Sequence, residues 1–571
     1  MEWFISNIES AETNYNIPFS TESEELSIFI DGYILPRSEC FEPYKNKTQK
    51  ELVRKLYLEF GNQFIHYIKG SFILVIRREK NIQVYTDRHA SVKCFYFQTK
   101  DKFIISNSLK QIRSFTELKL SKENASMFAL FNHFIGDLTL YNEVFQINPA
   151  RVANINDEKL IITDYWKPQY LFKKKDKLYR ADELANEWNK IIQGYRNYLK
   201  PKKVALTLTG GNDSRMILAA LLANDIIPIN MTYGNPKSGD VIVANKICTT
   251  LSLVFKNYHV ENPTAEWFQS IAVKEIIPHG NSLVNIHRAH RFDAIKKLKN
   301  EDPEIEMLYT GLVGGEYIKR PSYNNISIPK IYQDWLKLKG NKEKKDFIIA
   351  KLQNKGIKTD TLNIDYIISE LDRFIIPEGN FNPDQTKFIH LHQYYAVNHH
   401  TQDPSLFRKS IQFIINPYMD IDFLELLSKS KEWYLNKRWS YPTEKAWHSY
   451  LQVKTIHKLS PKLSSIPFAK NGEYTGLEML KTPLRYLLKR VWKRLRKSNF
   501  LYERNFAMGS WLYDFSKTQL NEMENEILSL YEKDYLKKAL EEVKDKKSEE
   551  HWHNITAAIN LSLNYRFLKK D

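Results

Sequence analysis

The sequence holds few of the residues that mark small secreted, fibrous or membrane-spanning proteins. Its three cysteines, Cys40, Cys94 and Cys248, are too few and too scattered for a disulfide framework or a C-x-x-C metal site, so a reducing compartment fits best. Only 19 glycines and 21 prolines occur in 571 residues, which excludes a collagen-like chain and argues against broad disorder. No apolar run approaches the ~18 residues that a membrane span needs. We therefore expect a folded protein without a transmembrane segment.

The amino terminus also lacks the pattern of a secretory signal. It begins Met1-Glu2-Trp3-Phe4 and soon reaches Glu9, whereas a signal peptide starts basic and then turns apolar. We therefore predict a cytoplasmic protein. A length of 571 residues exceeds a usual single hydrophobic core and favours two or more domains.

Positive charge is in excess, because 84 lysines and arginines oppose 67 acids and give a net charge of +17. Much of the excess lies between Lys481 and Lys497, where eight cations occur without an acid. The apolar residues of this segment follow helical spacing and predict one stripe of an amphipathic helix: Leu484, Leu487, Leu488, Val491, Trp492 and Leu495. Such a helix can bind a membrane surface, an acidic peptide or a polyanion. We favour the simpler interpretation that the stripe packs on the core and the cations face water.

Short apolar stretches separated by turn or charged residues fill the first part of the chain, which is typical of antiparallel sheet. The predicted strands are Leu26 to Ile30, Ser71 to Ile76, Ile82 to Thr86, Lys93 to Gln98 and Phe103 to Ser106. With a predicted helix near Gln49 to Tyr57, they indicate an α+β domain with layers of sheet and helix. A last strand pair follows Pro149, and the charged stretch from Lys173 to Lys177 suits a linker. We place the domain boundary near residue 172.

The second part of the chain alternates strands and helices. Val204 to Leu208 predicts a strand, Thr209 to Asp213 a turn, and Ser214 to Ala223 a helix. The next predicted elements are a strand at Pro228 to Tyr233, a helix at Val241 to Leu251 and a strand at Ile305 to Tyr309. This alternation indicates an α/β fold with a parallel sheet covered by helices. Beyond Asp360 we expect a mainly helical region, with candidate helices at Leu406 to Phe413, Phe423 to Ser428, Trp447 to Lys458 and Leu520 to Val543.

The turn from Thr209 to Ser214 carries the clearest chemical signal. Two glycines between a strand and a helix let backbone N–H groups approach an anion at the positive end of the helix dipole, so a phosphate would fit. The turn lacks the Lys-Ser/Thr of a Walker A loop, and Asp213 would repel a phosphate unless a divalent cation such as Mg²⁺ bridged them. The alternative is that Asp213 or Ser214 simply caps the helix.

Several segments, in order along the chain, resemble motifs of the asparagine synthetase superfamily. The turn from Leu208 to Arg215 resembles the S-G-G-x-D-S pyrophosphate loop, with threonine in place of the first serine. The other similar segments are Gly70-Ser71-Phe72, Thr86 to Tyr96, Phe103 to Asn107, Asp137 to Val144, Tyr165-Trp166 and Pro417 to Asp420. Together they extend the resemblance over residues 25 to 475.

This resemblance implies a glutaminase-type domain over residues 1–172 and an ATP-binding synthetase domain over residues 173–571. The second domain would adenylate a carboxylate with ATP and Mg²⁺, after which an amine displaces AMP and forms an amide. Asp213 matches the metal-binding carboxylate, and the N–H groups of Gly210, Gly211 and Ser214 would hold pyrophosphate. The implied nucleotide-binding residues are Leu208, Thr209, Gly210, Gly211, Asp213, Ser214 and Gly311.

The chain departs from the family pattern at its amino terminus. Members that hydrolyse glutamine use a cysteine directly after the initiator methionine, exposed as the new amino terminus, so that thiolate and α-amine share one site. Glu2 stands at that position, and a bulky Glu2 should leave Met1 attached. We therefore predict that the first domain has lost glutaminase activity.

Two further departures concern candidate site residues. The segment from Thr310 to Glu316 resembles S-G-E-G-A-D-E but has Gly315 at the aspartate position. We expect Glu316 to supply the second metal carboxylate; the alternatives are that this ligand is absent or that the segment is a glycine-rich turn with a surface acid. Lys470, in Lys470-Asn471-Gly472, is the candidate for the lysine that related synthetases place near the carbonyl and phosphate of the intermediate. A solvated surface lysine is the alternative.

Four histidines, His390, His392, His399 and His400, lie close together in the sequence, and His392 and His399 would share a helix face. We do not expect a metal site there. No carboxylate stands at a spacing suited to a third ligand, and lone histidines usually satisfy local hydrogen bonds.

The main hypothesis is an ATP-dependent, amide-forming ligase that uses ammonia or a substrate amine. An amine on the same molecule as the carboxylate would give a ring, as in the lasso-peptide cyclases and β-lactam synthetases of this branch. Ammonia would give asparagine or an amidated sugar acid. The basic surface suits a precursor peptide and an anionic saccharide equally well. The alternative from another class is a non-catalytic nucleotide-binding protein. The amino-terminal resemblance disfavours a tRNA-modifying enzyme, so we predict no nucleic-acid partner.

Overall fold

The computed structural model describes residues 2–8, 13–19, 26–156, 159–173, 175, 178–261, 263–324, 328–393, 398, 401–436, 449–468, 475–495, 508–544 and 549–569. Within these ranges it contains fifteen strands in three five-stranded sheets. The strands are β1 Phe4–Ser6, β2 Asn14–Tyr15, β3 Ser27–Pro36, β4 Ile68–Arg78, β5 Asn81–Thr86, β6 Phe95–Gln98, β7 Phe103–Ser106, β8 Val144–Gln146, β9 Arg151–Asn156, β10 Lys159–Asp164, β11 Lys203–Thr207, β12 Ile229–Tyr233, β13 Phe255–Tyr258, β14 Ile305–Tyr309 and β15 Phe413–Ile415.

The amino-terminal part consists of two antiparallel sheets, with strand orders β2-β1-β7-β6-β8 and β10-β9-β5-β4-β3. The sheets pack on each other, because alternate residues of β4 such as Ile73 and Val75 form one core with Ile5 and Ile105 of the other sheet. The residues between them, such as Leu74, face a separate core that contains helix Gln49–Phe60. A strand buried on both faces needs a continuous apolar run, and β4 has one. The predicted strands, the predicted helix and the layers of sheet and helix are confirmed; that the strands divide into two sheets packed on each other was not predicted.

The later part contains the predicted parallel sheet, in the order β13-β12-β11-β14-β15 with all neighbours parallel. Strands β11, β12 and β14 are close to their predicted bounds. The predicted helix from Leu406 to Phe413 is wrong beyond Phe407, because the helix Gln402–Phe407 ends there and Phe413–Ile415 forms β15 beside β14. Its aromatic and β-branched residues are buried there, which suits a strand better than a helix.

Helices surround the sheets and dominate the carboxy-terminal part. The α-helices of the described residues are Phe41–Tyr44, Gln49–Phe60, Leu109–Arg113, Lys122–Phe131, Ala181–Leu199, Asn212–Ala223, Gly239–Leu251, Ala265–Phe268, Ile277–His279, Ala289–Glu301, Gly314–Ile318, Lys330–Trp335, Asn341–Gln353, Ile364–Ile375, Pro383–His390, Gln402–Phe407, Ile421–Ser428, Tyr450–Leu459, Pro461–Ser464, Gly476–Lys481, Pro483–Leu495, Met508–Asn521, Asn525–Leu528, Tyr535–Lys544 and Glu549–Lys569. The single helix predicted from Leu520 to Val543 is therefore wrong, because three separate helices cover that range. Among the described helices, none has both the length and the apolar character to cross a membrane.

Buried ion pairs join the amino-terminal part to the later part. Lys69 on β4 places its ammonium 2.8 Å from Asp420 and 2.7 Å from Asp422, and all three side chains are buried. The Tyr195 hydroxyl donates to the same Asp420 carboxylate at 2.7 Å, and Arg37 donates to Asp422 at 2.8 Å. Breaking such a desolvated network on one side leaves uncompensated charge, so it holds the two parts in one arrangement.

Candidate functional site

The predicted strand, glycine turn and helix form at the carboxyl edge of the parallel sheet. β11 ends at Thr207, and helix Asn212–Ala223 begins directly after Gly211. Gly211 is extended, with φ −81° and ψ 172°, and has no side chain with which to cap the helix. An uncapped helix start presents backbone N–H groups and the positive end of its dipole to an anion. The turn therefore has the backbone arrangement that the sequence predicts for a phosphate site.

Side-chain oxygens already occupy several N–H groups of this turn. The Thr209 N–H donates to the Ser214 hydroxyl at 3.0 Å, and the Gly211 N–H donates to the Thr209 hydroxyl at 3.3 Å. The Gly210 N–H donates to the Asp240 carboxylate at 3.2 Å. A pyrophosphate held by Gly210 and Gly211 must therefore replace acceptors supplied by the protein, which the sequence did not predict.

Asp240 lies on helix Gly239–Leu251, which follows β12. Burial raises the pKa of its carboxyl. The carboxylate faces the same N–H group that an incoming phosphate would use, so the two anions compete for it. The sequence did not indicate that Asp240 would accept the Gly210 N–H, because an aspartate at this position is also common simply as an acid in the first turn of a helix.

Asp213, the predicted metal ligand, lies where four chain segments meet. The Tyr418 hydroxyl donates to its backbone carbonyl at 2.7 Å, and the Gln452 side-chain amide donates to its carboxylate. Gly315 packs directly against that carboxylate, since a Cβ atom built on Gly315 would lie 3.3 Å from both oxygens. The position where the family pattern has an aspartate is thus in contact with Asp213, and the Lys319 ammonium lies on the same side, 3.1 Å from where a Cβ atom of residue 315 would be.

Glu316 supplies a second carboxylate beside Asp213. It is half-buried in the short helix Gly314–Ile318. Burial and the negative charge of Asp213 raise the pKa of Glu316 to about 7, while the Lys319 ammonium opposes the shift. Two close carboxylates that repel each other form an oxygen donor set suited to a hard divalent cation. Oxygen donors of this kind suit Mg²⁺, and Asp213 and Glu316 are the residues that could hold it.

A cleft of about 310 Å³ opens at this edge of the sheet. Five of the predicted nucleotide-binding residues line it: Leu208, Thr209, Asp213, Ser214 and Gly311. Gly311 approaches the helix start so closely that a Cβ atom there would lie 3.0 Å from the Ser214 nitrogen. Further lining residues, which the sequence did not single out, are Thr232, Tyr233, Gly234, Asn235, Ser238, Asp240, His290 and Arg291.

Arg291 gives the cleft wall a positive charge. Its guanidinium pairs with Asp403 at 2.7 Å, and the buried Arg288 pairs with the same carboxylate at 2.7 Å. The two arginines hold the pKa of Asp403 well below its usual range despite its burial. Arg288, Arg291 and Asp403 together carry one net positive charge, which lies against the two carboxylates, Asp213 and Asp240, that also line the cleft.

Arg215, the residue after the turn, fixes a distant segment beside it. Its buried guanidinium donates to the carbonyls of Ile466, at 2.7 Å, and Pro467, and to the Gly210 carbonyl at 3.2 Å. This segment leads towards the predicted lysine, Lys470. Lys470 itself lies outside the described residues, so its role stays a prediction.

The described histidines of the 390–400 cluster bond to tyrosines. The His390 ring lies 2.9 Å from the Tyr323 hydroxyl, and the His392 ring lies 2.9 Å from the Tyr317 hydroxyl. Burial lowers the pKa of each to about 4, so both are neutral at physiological pH. His399 and His400 lie outside the described residues.

Tyr317 follows Glu316 directly and also contacts His89 of the amino-terminal part at 3.3 Å, a connection that no sequence motif indicated.

Comparison with known proteins identifies the amino-terminal part. Residues 11–166 match the family described as "Glutamine amidotransferase domain", so a glutamine amidotransferase-type domain occupies this part of the chain. The protein described as "Amidase chry2" from Gibberella zeae is 24% identical over 235 residues, which is 39% of this chain and 34% of that relative. The chain thus spans about a third of the length of the curated relative that it matches.

A solved structure of a glutamine phosphoribosylpyrophosphate amidotransferase from B. subtilis, complexed with ADP and GMP, also matches. The match covers 45% of this chain and 59% of that chain at 11% identity, with a TM-score of 0.18. A superposition of this quality has no bearing on the fold.

Proposed function

We propose that the protein is an ATP-dependent ligase that activates a carboxylate and joins it to ammonia or to an amine of a substrate. The observation that carries the proposal is the carboxylate of Asp213, which lines the cleft beside the glycine turn, with Glu316 close enough for the charge of Asp213 to raise its pKa. The amidotransferase-type domain indicates chemistry of amide nitrogen, which agrees with an amide product. The finer assignment to the asparagine synthetase superfamily rests on the motif resemblance.

Different residues of the cleft would bind different parts of ATP. The start of helix Asn212–Ala223 and the N–H groups of the turn would bind the departing pyrophosphate once the Asp240 carboxylate gives up its bond to Gly210. Mg²⁺ held by Asp213 and Glu316 would neutralise phosphate charge. Arg291 lies where it can attract the anionic part of either substrate. Within the described residues no group of three or more histidine, cysteine or acidic side chains is arranged for a metal, so phosphate oxygens and water would complete the coordination.

The nitrogen would come from ammonia or a substrate amine, because the three thiols are poorly placed as nucleophiles. Cys94 and Cys248 are buried, and burial raises the pKa of both, that of Cys248 to about 12. Cys40 is half-buried, and burial with the nearby Glu39 raises its pKa as well. A reactive cysteine needs the opposite shift, towards thiolate at neutral pH. We therefore expect no catalysed release of glutamate from glutamine.

Carboxylate-dependent exchange of labelled pyrophosphate into ATP tests the proposal. The acid panel should contain aspartate, sugar acids and peptides that carry both an amine and a carboxylate. The parent protein should catalyse exchange with at least one acid, and Asp213→Ala should abolish it. Asp346→Ala is the matched control, because Asp346 is exposed in the middle of helix Asn341–Gln353 and should leave exchange unchanged.

The product then distinguishes the amine donors. Ring closure within one substrate, as in a lasso-peptide cyclase, removes one water and needs no added ammonia. Amidation of a sugar acid or aspartate requires ammonia and adds one nitrogen.

A non-catalytic nucleotide-binding protein is the second candidate. Gly315 at the expected aspartate position favours it. Binding of ATP in equilibrium dialysis, together with no exchange for any acid in the panel, would support this candidate and refute the ligase.

A further inference from the structure

Helix Pro483–Leu495 does not pack on the core in the way that its apolar pattern predicts. Its docked side is formed by Tyr486, which is buried with Val453 and Met479, and by the partly buried Leu487. Leu484, Leu488 and Val491 are instead 72%, 63% and 56% exposed. The expectation that the whole apolar stripe faces the core was therefore wrong at these three positions, and the side chains of Trp492 and Leu495 lie outside the described part of the chain.

The three exposed side chains form one line along the helix. Positions 484, 488 and 491 are spaced by four and three residues, so they lie on the same face about one turn apart. Single exposed aliphatic side chains are ordinary on a protein surface, whereas a row of them rimmed by polar residues marks a contact surface. We call Leu484, Leu488 and Val491 the exposed stripe.

Cations surround the exposed stripe. Lys481 and Arg485 are exposed, and Glu478 pairs with Lys489 at 2.6 Å and with Arg485 at 3.7 Å. The sequence from Lys481 to Lys497 contains eight cations and no acid, so the local charge is strongly positive. Any partner of this surface must therefore offer negative charge and an apolar medium at the same place.

We propose that this helix docks the protein on the surface of an anionic membrane. In a bilayer interface, lipid phosphates lie at the level of the cations and hydrocarbon lies a few ångströms deeper, where the exposed stripe would insert. A nucleic acid or an acidic polysaccharide matches the charge but leaves the three aliphatic side chains in water. An acidic protein groove could supply both features, and the experiment separates it from lipid. The inference does not depend on the ligase proposal.

Flotation of the full chain with lipid vesicles tests the inference. Vesicles of phosphatidylcholine with about 30% phosphatidylserine are compared with pure phosphatidylcholine. The protein should bind the anionic vesicles, bind the neutral ones much less, and dissociate as salt rises because the attraction is screened. Failure to bind anionic vesicles at low salt would overturn the proposal.

Two double variants assign the binding to this helix. Leu484→Gln with Leu488→Gln should weaken binding by about tenfold or more, because each exposed leucine loses its transfer into hydrocarbon. Lys481→Gln with Arg485→Gln should weaken it by about fivefold for each cation removed. The matched controls are Leu58→Gln, at a leucine that is 68% exposed on another helix, and Lys345→Gln, at an exposed lysine. Equal binding by the parent and the leucine variant would refute the assignment to this helix.

A second readout separates insertion from electrostatic adsorption and from a protein partner. Leu484→Cys is labelled with a polarity-sensitive fluorophore, since the native cysteines are buried or half-buried. A blue shift on anionic vesicles supports insertion of the exposed stripe, and an unchanged spectrum on vesicles that bind the protein refutes it. Retention on immobilised polyglutamate without vesicle binding would assign the surface to an acidic protein and also overturn the proposal.

Discussion

Replacing Glu316 by glutamine should remove the pH dependence that its carboxyl imposes on stability. Burial and Asp213 raise its pKa from an ordinary value of 4.5 to about 7. The folded protein then holds a proton that the unfolded chain has released, so its stability is greatest below pH 4.5 and falls as pH rises towards 7. The difference, 7 − 4.5 or 2.5 pKa units, corresponds to at most about 3 kcal/mol, and partial exposure reduces it. Glu316→Gln should therefore stabilise the protein at pH 8 and have little effect at pH 4.

Mg²⁺ binding provides the sharper form of this prediction. A cation that needs the ionised carboxyl competes with its proton, so the affinity should rise about tenfold between pH 6 and pH 8. Binding should release about 0.9 proton at pH 6, about half a proton at pH 7 and about 0.1 at pH 8. Titration calorimetry in two buffers of different ionisation enthalpy measures this release directly.

Variants identify the source of the released proton. Glu316→Gln should bind Mg²⁺ more weakly and without proton release, whereas Glu266→Gln, at an exposed glutamate, should behave like the parent protein. Proton release that persists in Glu316→Gln would show that another group titrates. No Mg²⁺ binding by the parent at pH 8 would refute the metal site that we infer from this carboxylate pair.

Three other substitutions test separate contacts. Gly311→Ala should weaken ATP binding in equilibrium dialysis by about tenfold, because the added Cβ would press on the Ser214 nitrogen. Gly340→Ala is the control, because its Cβ meets open space and should leave ATP binding unchanged. Equal ATP affinities of the two variants would contradict this prediction. Lys69→Met should lower the free energy of unfolding in urea by about 4 kcal/mol, because Asp420 and Asp422 stay buried without the Lys69 ammonium. Lys190→Met, at an exposed lysine, should lower it by less than about 1 kcal/mol. Tyr317→Phe should cost about 2 kcal/mol by removing the hydroxyl shared by His89 and His392, and an unchanged transition would refute that role.

The sequence predicted those strands, turns and helices whose conformation depends on residues adjacent in the chain. The apolar run of β11, the two glycines and the helix after them are adjacent in the chain, so their order already fixes the turn. The partners of that turn could not be predicted in the same way. Asp240, Gln452 and Tyr418 reach Asp213 or its neighbours from distant segments, and only the packed sheet brings them together.

The spacing of apolar residues was not sufficient to predict which side chains are buried or whether a segment forms a helix or a strand. A row of leucines at helical spacing predicted a docked face for helix Pro483–Leu495, but only its Tyr486 side finds a partner in the described part of the chain. The helix predicted from Leu406 to Phe413 extended past its observed end at Phe407, and pairing with β14 makes Phe413 the first residue of a strand. In both cases the deciding information lay in neighbours far away in sequence.

The buried ammonium of Lys69 has a consequence for how this chain can change over generations. Together with Arg37, it balances the charges of Asp420 and Asp422 from the amidotransferase-type domain, so removal of that domain would leave two buried carboxylates without their cations. Selection for folding alone is then sufficient to retain β4 and its sheet, whether or not glutamine is ever hydrolysed.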